Sequence, residues 1–267
     1  MSVTNAAQGE GIVVSYNGRI AIHSSDFHMP SGALTAIIGP NGAGKSTLLN
    51  ALSGLVRARS GRIEVLGTSP EAARSRVAYV LQATKVNAVM PVTVREVVGM
   101  GRFAGKAHGR LTAHDREACT NALVRLDIGA LADRHLTELS GGQRQRVFVA
   151  QGLAQEGDLL LLDEPITGLD LVSRDRILQV IEEEVELQRS VVFTTHELAE
   201  ASTADHVILM AGTVSSEGPP DQVLQPDALS VAYGVGIVHH DDGSIMLDDA
   251  AHSTEGRHVH FARRRRE

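Results

Sequence analysis

The chain has 267 residues, of which 43% are hydrophobic, enough to bury one sizeable core or a main core with a smaller lobe. Its formal net charge of −7 and its 3% aromatic content argue against a broad nucleic-acid surface, which needs clustered Lys and Arg or stacking platforms. The single cysteine, Cys119, excludes an intramolecular disulfide. Because the start lacks a secretory signal and no run reaches the roughly twenty apolar residues that cross a bilayer, we expect a cytosolic chain.

Short apolar runs alternate with amphipathic segments along the chain, which predicts an α/β fold. The runs predicted to be buried strands are Leu34 to Ile38, Val77 to Val80, Leu159 to Leu162, Val191 to Thr194 and Val207 to Met210. The predicted helices are Arg116 to Leu126, Gln143 to Ala154 and Ser173 to Gln188. In the last of these, Ile177, Ile181 and Val185 form one apolar stripe, and Glu182, Glu183 and Glu186 are expected in solvent.

The glycine-rich stretch GPNGAGKST follows the first apolar run and precedes a predicted helix, the context that a phosphate-binding loop requires. Glycines let the backbone wrap closely around a triphosphate, and several N–H groups and the helix N-terminus face its oxygens. Lys45 can reach the β and γ phosphates, and Ser46 can hold Mg²⁺. The predicted loop residues are Gly39, Pro40, Asn41, Gly42, Ala43, Gly44, Lys45, Ser46 and Thr47.

A second glycine-rich turn, Leu139-Ser140-Gly141-Gly142-Gln143, opens a predicted helix about a hundred residues later. Ser140 is a good N-cap, and the two glycines leave backbone N–H groups unobstructed. This helix start is therefore a candidate second anion site. It lies in a segment, about residues 83 to 154, where strand patterns fade and which we interpret as a helical insertion.

Two acids close the strongly apolar run LLLLDEP. A buried strand would deliver Asp163 to its end, where the carboxylate can orient a magnesium shell. Glu164 follows immediately and could act as general base toward the attacking water. Together with the phosphate loop, this pair indicates a nucleoside triphosphatase without specifying its class.

The stretch LSGGQ specifies the class, since it resembles the signature motif of ATP-binding cassette (ABC) ATPases without a substitution. The resemblance spans about residues 10 to 233, and we expect one ABC ATPase domain over 1–233. It implies an ABC-type P-loop NTPase fold: a RecA-like α/β core, an antiparallel β subdomain and a helical subdomain at about 83–154. It further implies that two nucleotide-binding domains pack head to tail, so that Ser140, Gly141, Gly142 and Gln143 of one copy cover the γ-phosphate held by the other.

Four further positions occur in the order that the ABC family has. The resemblance implies that Tyr16 stacks on adenine and that Gln82 contacts Mg²⁺ and water and leads to the membrane-domain contact. It places Asp170 in the loop that joins the two nucleotide sites, and it makes His196 the switch histidine on the γ-phosphate. The expected catalytic residues are thus Glu164, His196, Lys45 and Gln82, and the expected Mg²⁺ ligands are Ser46, Gln82 and Asp163.

The function of an ABC ATPase depends on the protein to which it is attached, because that protein receives the motion driven by ATP. The stretch Met90 to Gly105 resembles importers of metal ions, especially manganese and zinc, and more loosely those of iron-siderophore and cobalamin. We therefore expect a subunit at the cytoplasmic side of the membrane that works with a permease, a second copy of itself and an extracytoplasmic substrate-binding protein, and not with nucleic acid. The alternatives are a non-transport ABC ATPase, which usually has a coiled-coil insertion or two cassettes, and an exporter, which is commonly fused to membrane helices.

After about residue 233 the composition shifts to His, Asp, Gly and Arg, which predicts a poorly ordered tail over 234–267. The potential metal ligands there are His239, His240, Asp241, Asp242, His252, His258 and His260. They lack a fixed ligand spacing, so we favour a solvated tail over a metal sensor. Arg263 to Arg266 are likewise expected to be solvated, because four charges attract anionic lipid only modestly.

Overall fold

The computed structural model describes residues 5–16, 18–82, 91–103, 110–234, 236–239 and 245–248. In chain order the strands are β1 (Asn5–Tyr16), β2 (Arg19–Pro30), β3 (Leu34–Ile38), β4 (Ala58–Val65), β5 (Val77–Val80), β6 (Leu159–Leu162), β7 (Ser190–Thr195), β8 (His206–Met210), β9 (Val214–Gly218), β10 (Gly236–His239) and β11 (Ile245–Asp248). The helices are α1 (Lys45–Leu52), α2 (Pro70–Ala73), α3 (Val94–Met100), α4 (Ala113–Arg125), α5 (Gly141–Leu153), α6 (Leu171–Glu186), α7 (Leu198–Ala201), α8 (Pro220–Val223) and α9 (Pro226–Tyr233).

A six-stranded sheet in the order β5-β6-β7-β3-β8-β9 forms the centre of the molecule. Its first five strands are parallel, and β9 is antiparallel to β8. All five apolar runs of the sequence are strands of this sheet, so the α/β prediction is confirmed. These strands are apolar runs rather than alternating patterns because a parallel sheet is covered on both faces.

Alternate residues of the sheet face two separate hydrophobic cores. In β6, Leu160 and Leu162 belong to the core that also contains residues of α5 and α6. Leu159 and Leu161 belong to the other core, which contains α1 and the antiparallel sheet. This alternation follows from the period of two in a strand, and it fixes which helices cover which face.

The smaller sheet has the order β2-β1-β4 and is antiparallel throughout. Hydrophobic periodicity does not predict it. The register of β1 shifts near Gly9 and Gly11, and β2 exposes many of its side chains, so neither strand has a continuous apolar run. The family resemblance did imply an antiparallel β subdomain, and this expectation is confirmed.

The helices α3, α4 and α5 lie within the predicted helical segment, of which residues 83–90 and 104–109 lie outside the described part. Both α4 and α5 coincide with predicted helices to within a few residues. At the start of α3, the side chain of Thr93 accepts a hydrogen bond from the amide of Glu96, and the Glu96 carboxylate accepts one from the amide of Thr93. This capping box gives a seven-residue helix a defined beginning. The assignment of 83–154 as a subdomain stays a prediction.

The apolar stripe predicted for α6 agrees with the structure, whereas the prediction for its acidic side agrees only in part. Ile177 and Ile181 are buried, whereas Glu183 is only partly exposed and accepts a hydrogen bond from Arg125. The next acid, Glu184, is 2% exposed and is held between the guanidinium groups of Arg125 and Arg189. One of the acids expected in solvent thus takes part in an ion cluster, and the buried Glu184 was not predicted.

In the predicted tail, β10 and β11 pair as antiparallel strands. Composition alone did not predict them, because two short apolar runs lie inside a polar segment. The boundary at residue 234 stays a prediction, and residues 240–244 and 249–267, with most of the tail histidines and the terminal arginines, lie outside the described residues. None of the helices among the described residues is long and apolar enough to span a bilayer.

Candidate functional site

Most candidate residues follow the carboxyl ends of four adjacent parallel strands. The phosphate loop follows β3, Gln82 lies two residues after β5, Asp163 and Glu164 follow β6, and His196 follows β7. Because β5, β6, β7 and β3 are neighbours in this order, these segments meet at one edge of the sheet. Ligands of open α/β sheets bind at this edge.

The phosphate loop approaches its surroundings so closely that two of its glycines have no room for a side chain. A Cβ atom on Gly39 would lie 2.1 Å from the carbonyl oxygen of Met210. Gly44 has a φ of 100°, and a Cβ there would lie 2.9 Å from the carbonyl oxygen of Ala21. The loop backbone is therefore packed closely against the end of β8 and against β2, while its Asn41 and Gly42 are exposed.

Lys45 is the first residue of α1 and is 7% exposed. Its Nζ donates hydrogen bonds to the carbonyl oxygens of Gly39 at 2.7 Å and Pro40 at 3.2 Å. Burial lowers the pKa of the Lys45 ammonium, while the carboxylates of Glu164 and Asp163 act in the opposite direction. The only cation in the loop is thus fixed by the loop itself and is close to both acids.

Asp163 is 1% exposed and lies at the centre of a hydroxyl network. The hydroxyl groups of Ser46 and Thr194 both donate to its Oδ1, each at 2.9 Å. The Thr194 oxygen in turn accepts a hydrogen bond from the backbone amide of Glu164 at 2.8 Å. The network joins the phosphate loop to β6 and β7, so it brings together two of the three predicted Mg²⁺ ligands.

Glu164 has a positive φ of 49°, which is uncommon for a residue other than glycine. Its Oε2 accepts a hydrogen bond from Nε2 of Gln82 at 2.8 Å, across 82 positions of sequence. The predicted general base and the predicted glutamine are therefore in direct contact. Such a backbone conformation is retained where the surrounding structure holds it, often at a functional site.

The second glycine-rich turn begins α5 as predicted, with Ser140 as its N-cap. The Ser140 hydroxyl accepts from the amide of Gln143 at 3.2 Å, and the Gln143 side-chain oxygen accepts from the amide of Ser140 at 3.0 Å. A Cβ on Gly142 would lie 2.4 Å from both the Asp170 carboxylate and the Ser173 hydroxyl. Thus the turn packs against the start of α6. Within the described part of the chain, no hydrogen bond joins residues 139–143 to the phosphate loop.

Asp170 is the N-cap of α6 and accepts hydrogen bonds from the amide of Ser173 at 2.9 Å and from its hydroxyl at 3.0 Å. These hydrogen bonds lower the pKa of the Asp170 carboxyl. The structure therefore groups Asp170 with Gly142, apart from the hydroxyl network around Asp163.

Tyr16 ends β1 with 51% of its surface exposed, and His196 is exposed after β7. Among the described residues, neither side chain forms a hydrogen bond with the other candidate residues. Tyr16 and His196 thus take no part in the hydrogen-bond network around Asp163. Their roles stay predictions.

Sequence reasoning missed Thr194 and Ser173, which the structure places in the two groups. Thr194 immediately precedes Thr195 and His196 in VVFTTH, where only the histidine was singled out. Two threonines at the carboxyl end of a buried strand next to the acidic pair are the signal that could have identified it. Ser173, three residues after Asp170, could have been found as the partner of an N-cap.

The chain is similar to known proteins over most of its length. A family model described as ABC transporter matches residues 22–167. The manganese transport system ATP-binding protein MntA of Synechocystis is 36% identical over 230 residues, which cover 84% of this chain and 88% of that protein. The zinc transport system ATP-binding protein TroB of Treponema pallidum is 36% identical over 232 residues, 86% of this chain and 87% of that protein.

A solved structure agrees with this assignment. The structure of cbiO1 from Clostridium perfringens, part of the ABC transporter complex cbiONQ, has a TM-score of 0.70 and 28% identity, covering 84% of this chain and 92% of that chain. The phosphate loop, the acidic pair and the LSGGQ turn thus occur on the fold that such proteins have. The chain belongs to the ABC transporter family, as an ATP-binding subunit whose ATP hydrolysis is coupled to transport.

Proposed function

We propose that this subunit powers the import of a metal cation, manganese or zinc, through a separate membrane permease. The observation that carries this proposal is the 36% identity to manganese and zinc transport ATP-binding proteins over 84% and 86% of the chain. The residues 91–103 of the metal-importer-like stretch form the start of the helical segment, with Thr93 as the cap of α3. The rest of that stretch lies outside the described residues.

ATP would bind with its phosphates in the loop from Gly39 to Thr47 and with adenine against Tyr16. The exposed ring of Tyr16 can stack, and the loop supplies Lys45 and backbone N–H groups. The donor set around Asp163 fits Mg²⁺, which prefers carboxylate and hydroxyl oxygens together with phosphate oxygens. Ser46, Gln82 and Asp163 would hold the ion, which when bound neutralises charge on the phosphates.

Glu164 is positioned to act as general base toward a water molecule. Its carboxylate is held by Gln82, and its amide is held by Thr194, so both ends of the residue are fixed at the edge of the sheet. Fixed placement is what general-base catalysis requires before any adjustment of pKa. His196, exposed at the end of the neighbouring strand, would contact the γ-phosphate.

A second copy of the chain would complete the site. Ser140 and Gly141 are exposed, and their turn is joined to Asp170 rather than to the phosphate loop of the same chain. Next to Asp170, Leu171 and Val172 are 75% and 69% exposed, which suits a surface that is covered by a partner. Ser140 and Gly142 would then act as preorganised donors on the γ-phosphate of the partner copy.

The permease would contact the surface near Gln82 and α3. Leu81, Met100 and Phe103 are each about two-fifths exposed there, at 41%, 41% and 40%. Apolar side chains in this position can receive a helix of a membrane subunit. The subunit would then lie at the cytoplasmic side of the membrane, and an extracytoplasmic binding protein would deliver the cation.

Transport by reconstituted vesicles tests this function. The chain and its permease are incorporated into vesicles, and uptake of labelled manganese, zinc and an iron-siderophore complex is measured with and without ATP. We expect ATP-dependent accumulation of manganese or zinc, and none with the Glu164→Gln variant. Accumulation of only the iron complex would replace the proposed cargo, and recovery of the chain with ribosomes or DNA instead of a permease would contradict a role in transport.

A further inference from the structure

Three potential metal ligands meet far from the phosphate loop, on strands of both sheets. Nδ1 of His28, on β2, lies 2.6 Å from Oε1 of Glu217, on β9. Nε2 of His206, at the start of β8, lies 3.9 Å from Oε2 of the same carboxylate. One ligand atom from each residue can be chosen so that all three lie within 4.8 Å of one another.

The buried histidine of this cluster lacks a hydrogen-bond partner. His206 is 4% exposed, and its Nε2 has no partner among the described residues. A buried polar nitrogen without a partner destabilises the fold, because it has lost its hydrogen bonds to water. The nearest Glu217 oxygen, Oε2, lies 3.9 Å from this nitrogen and already accepts a hydrogen bond from the amide of His28 at 2.8 Å. A cation bound between them would give the His206 nitrogen a partner.

The cluster lies on the contact between the two sheets. Along this contact the amide of His23 donates to the carbonyl oxygen of Gly212 at 2.8 Å, and the amide of Val214 donates to the hydroxyl of Ser25 at 3.0 Å. The contact between His28 and Glu217 follows these two contacts farther along the same two chain segments. Whatever joins these side chains therefore holds the antiparallel sheet against β8 and β9.

The donor set favours one class of ion. Two imidazoles and one carboxylate are typical of Zn²⁺ and related transition metals, whereas Mg²⁺ and Ca²⁺ prefer oxygen ligands. Tetrahedral zinc with bonds of about 2.0 to 2.2 Å keeps its ligand atoms about 3.3 Å apart. The separations of 2.6 Å to Oε1 and 3.9 Å to Oε2 lie on either side of this value, and one ligand atom from each residue lies within 4.8 Å of the others, so binding requires shifts of the side chains. His28 is half-exposed, so an ion can enter from solvent.

We propose that His28, His206 and Glu217 bind a divalent transition-metal ion, with Zn²⁺ as the best match, and that the ion fastens β2 to β8 and β9. Binding through Nδ1 requires that nitrogen to be unprotonated, so the hydrogen bond between His28 and Glu217 would be replaced by bonds from both side chains to the ion. This site belongs to the chain itself and is independent of which cation the transporter carries.

Zinc binding to the purified full chain tests this site directly. The metal-free protein is equilibrated with Zn²⁺ at fixed free concentrations, and bound zinc per chain is measured. We expect His28→Ala and Glu217→Gln each to bind one zinc ion fewer than the wild type at a concentration that saturates the site. The matched control is His23→Ala, an exposed histidine on the same strand, which should bind as many ions as the wild type. The tail histidines are present in every variant and cancel in the comparison.

Two further measurements separate this site from other zinc bound by the chain. Co²⁺ in tetrahedral coordination absorbs visible light strongly, and we expect this absorption to be lost in His28→Ala but kept in His23→Ala. Because a ligand that binds only the folded state stabilises it, zinc should raise the Tm of the wild type more than that of His28→Ala. Equal bound zinc in the wild type and in a folded His28→Ala variant, at all free Zn²⁺ concentrations, overturns the proposal. The permease is absent, so a wrong cargo assignment does not affect the result.

Discussion

At the scale of single residues, Glu164 combines an uncommon backbone conformation with contacts at both ends. Its φ of 49° turns the side chain to Gln82, while its amide is bonded to Thr194. The backbone conformation of Glu164 costs about 1 to 3 kcal/mol, and the contacts that hold it also fix the carboxylate at the site.

Replacing Glu164 with Gln should separate hydrolysis from binding. The amide keeps the size of the side chain and can remain near Gln82, but it cannot take a proton from water. We expect ATP turnover to fall by about 100-fold or more, with ATP affinity nearly unchanged. Steady-state hydrolysis and nucleotide binding measure the two effects, and Glu186→Gln, an exposed acid on α6, is the control. Unchanged turnover in Glu164→Gln would remove this residue from the role of base.

Thr194 should matter for stability, because its hydroxyl joins the Asp163 carboxylate to the amide of Glu164. Thr194→Val keeps the shape and leaves a buried carboxylate oxygen with one donor fewer, so we expect a loss of about 1 to 3 kcal/mol in the free energy of unfolding. The control is Thr35→Val in β3, since the Thr35 hydroxyl is buried without a hydrogen-bond partner among the described residues. That variant should be neutral or more stable. Denaturant unfolding compares the two, and an equal loss in both would contradict the bridging role.

At the scale of elements, the start of α5 is fitted to the start of α6 through a glycine. Gly142 is buried against Asp170 and Ser173, whereas a Cβ on Gly141 would have no neighbour within 4 Å. Consecutive residues of one turn thus have different requirements, since only Gly142 has no room for a side chain.

The two glycines can therefore be distinguished by alanine substitution. Gly142→Ala forces a Cβ into the Asp170 and Ser173 side chains, and we expect overpacking to cost about 1 to 3 kcal/mol. Gly141→Ala has free space and should change the free energy of unfolding by less than about 0.5 kcal/mol. Thermal or denaturant unfolding of the two variants checks this. If both destabilise equally, the close approach of α5 to α6 does not determine the choice of glycine.

The helix α6 also depends on a buried acid. Glu184 is 2% exposed between Arg125 and Arg189, which keep about a quarter of their side-chain surface in solvent, at 26% and 29%. Removing its charge leaves two partly buried cations without their shared partner, so we expect Glu184→Gln to cost about 2 to 3 kcal/mol. The exposed Glu182→Gln, on the same helix, is the control. A similar stability for both variants would show that the cluster contributes nothing.

At the scale of the whole molecule, the phosphate loop and the LSGGQ turn belong to different parts of one chain. The loop is joined to β6 and β7 through Asp163, and the turn is joined to α6 through Asp170. The proposed arrangement, in which each copy completes the site of the other, follows from this separation and from the symmetry of homodimers.

Mixing two inactive variants tests this arrangement. Lys45→Ala removes the cation of the loop, and Ser140→Arg obstructs the turn. If the turn acts on the partner copy, a mixed dimer contains one site with an intact Lys45 and an intact Ser140, so the mixture should hydrolyse ATP when neither variant does alone. ATPase activity against mixing ratio measures this. Inactive mixtures, in which crosslinking shows that mixed dimers form, would indicate that both residues act within one chain.

The sequence alone determined the features that depend on neighbouring positions in the chain. The five apolar runs, the phosphate loop between β3 and α1, the cap of α5 and the acidic pair after β6 all follow from local spacing and side-chain chemistry. The antiparallel sheet was inferred only from family resemblance, because its strands have no regular apolar pattern.

Only the tertiary structure decided which distant residues touch. Gln82 meets Glu164 across 82 positions, and His28 meets Glu217 across 189. Thr194 meets Asp163, and Glu184 meets Arg125, in the same way, from elements that the fold places side by side. Such contacts depend on strand order, register and helix packing, which no local pattern encodes, because they are fixed only when the hydrophobic faces of all elements are buried together.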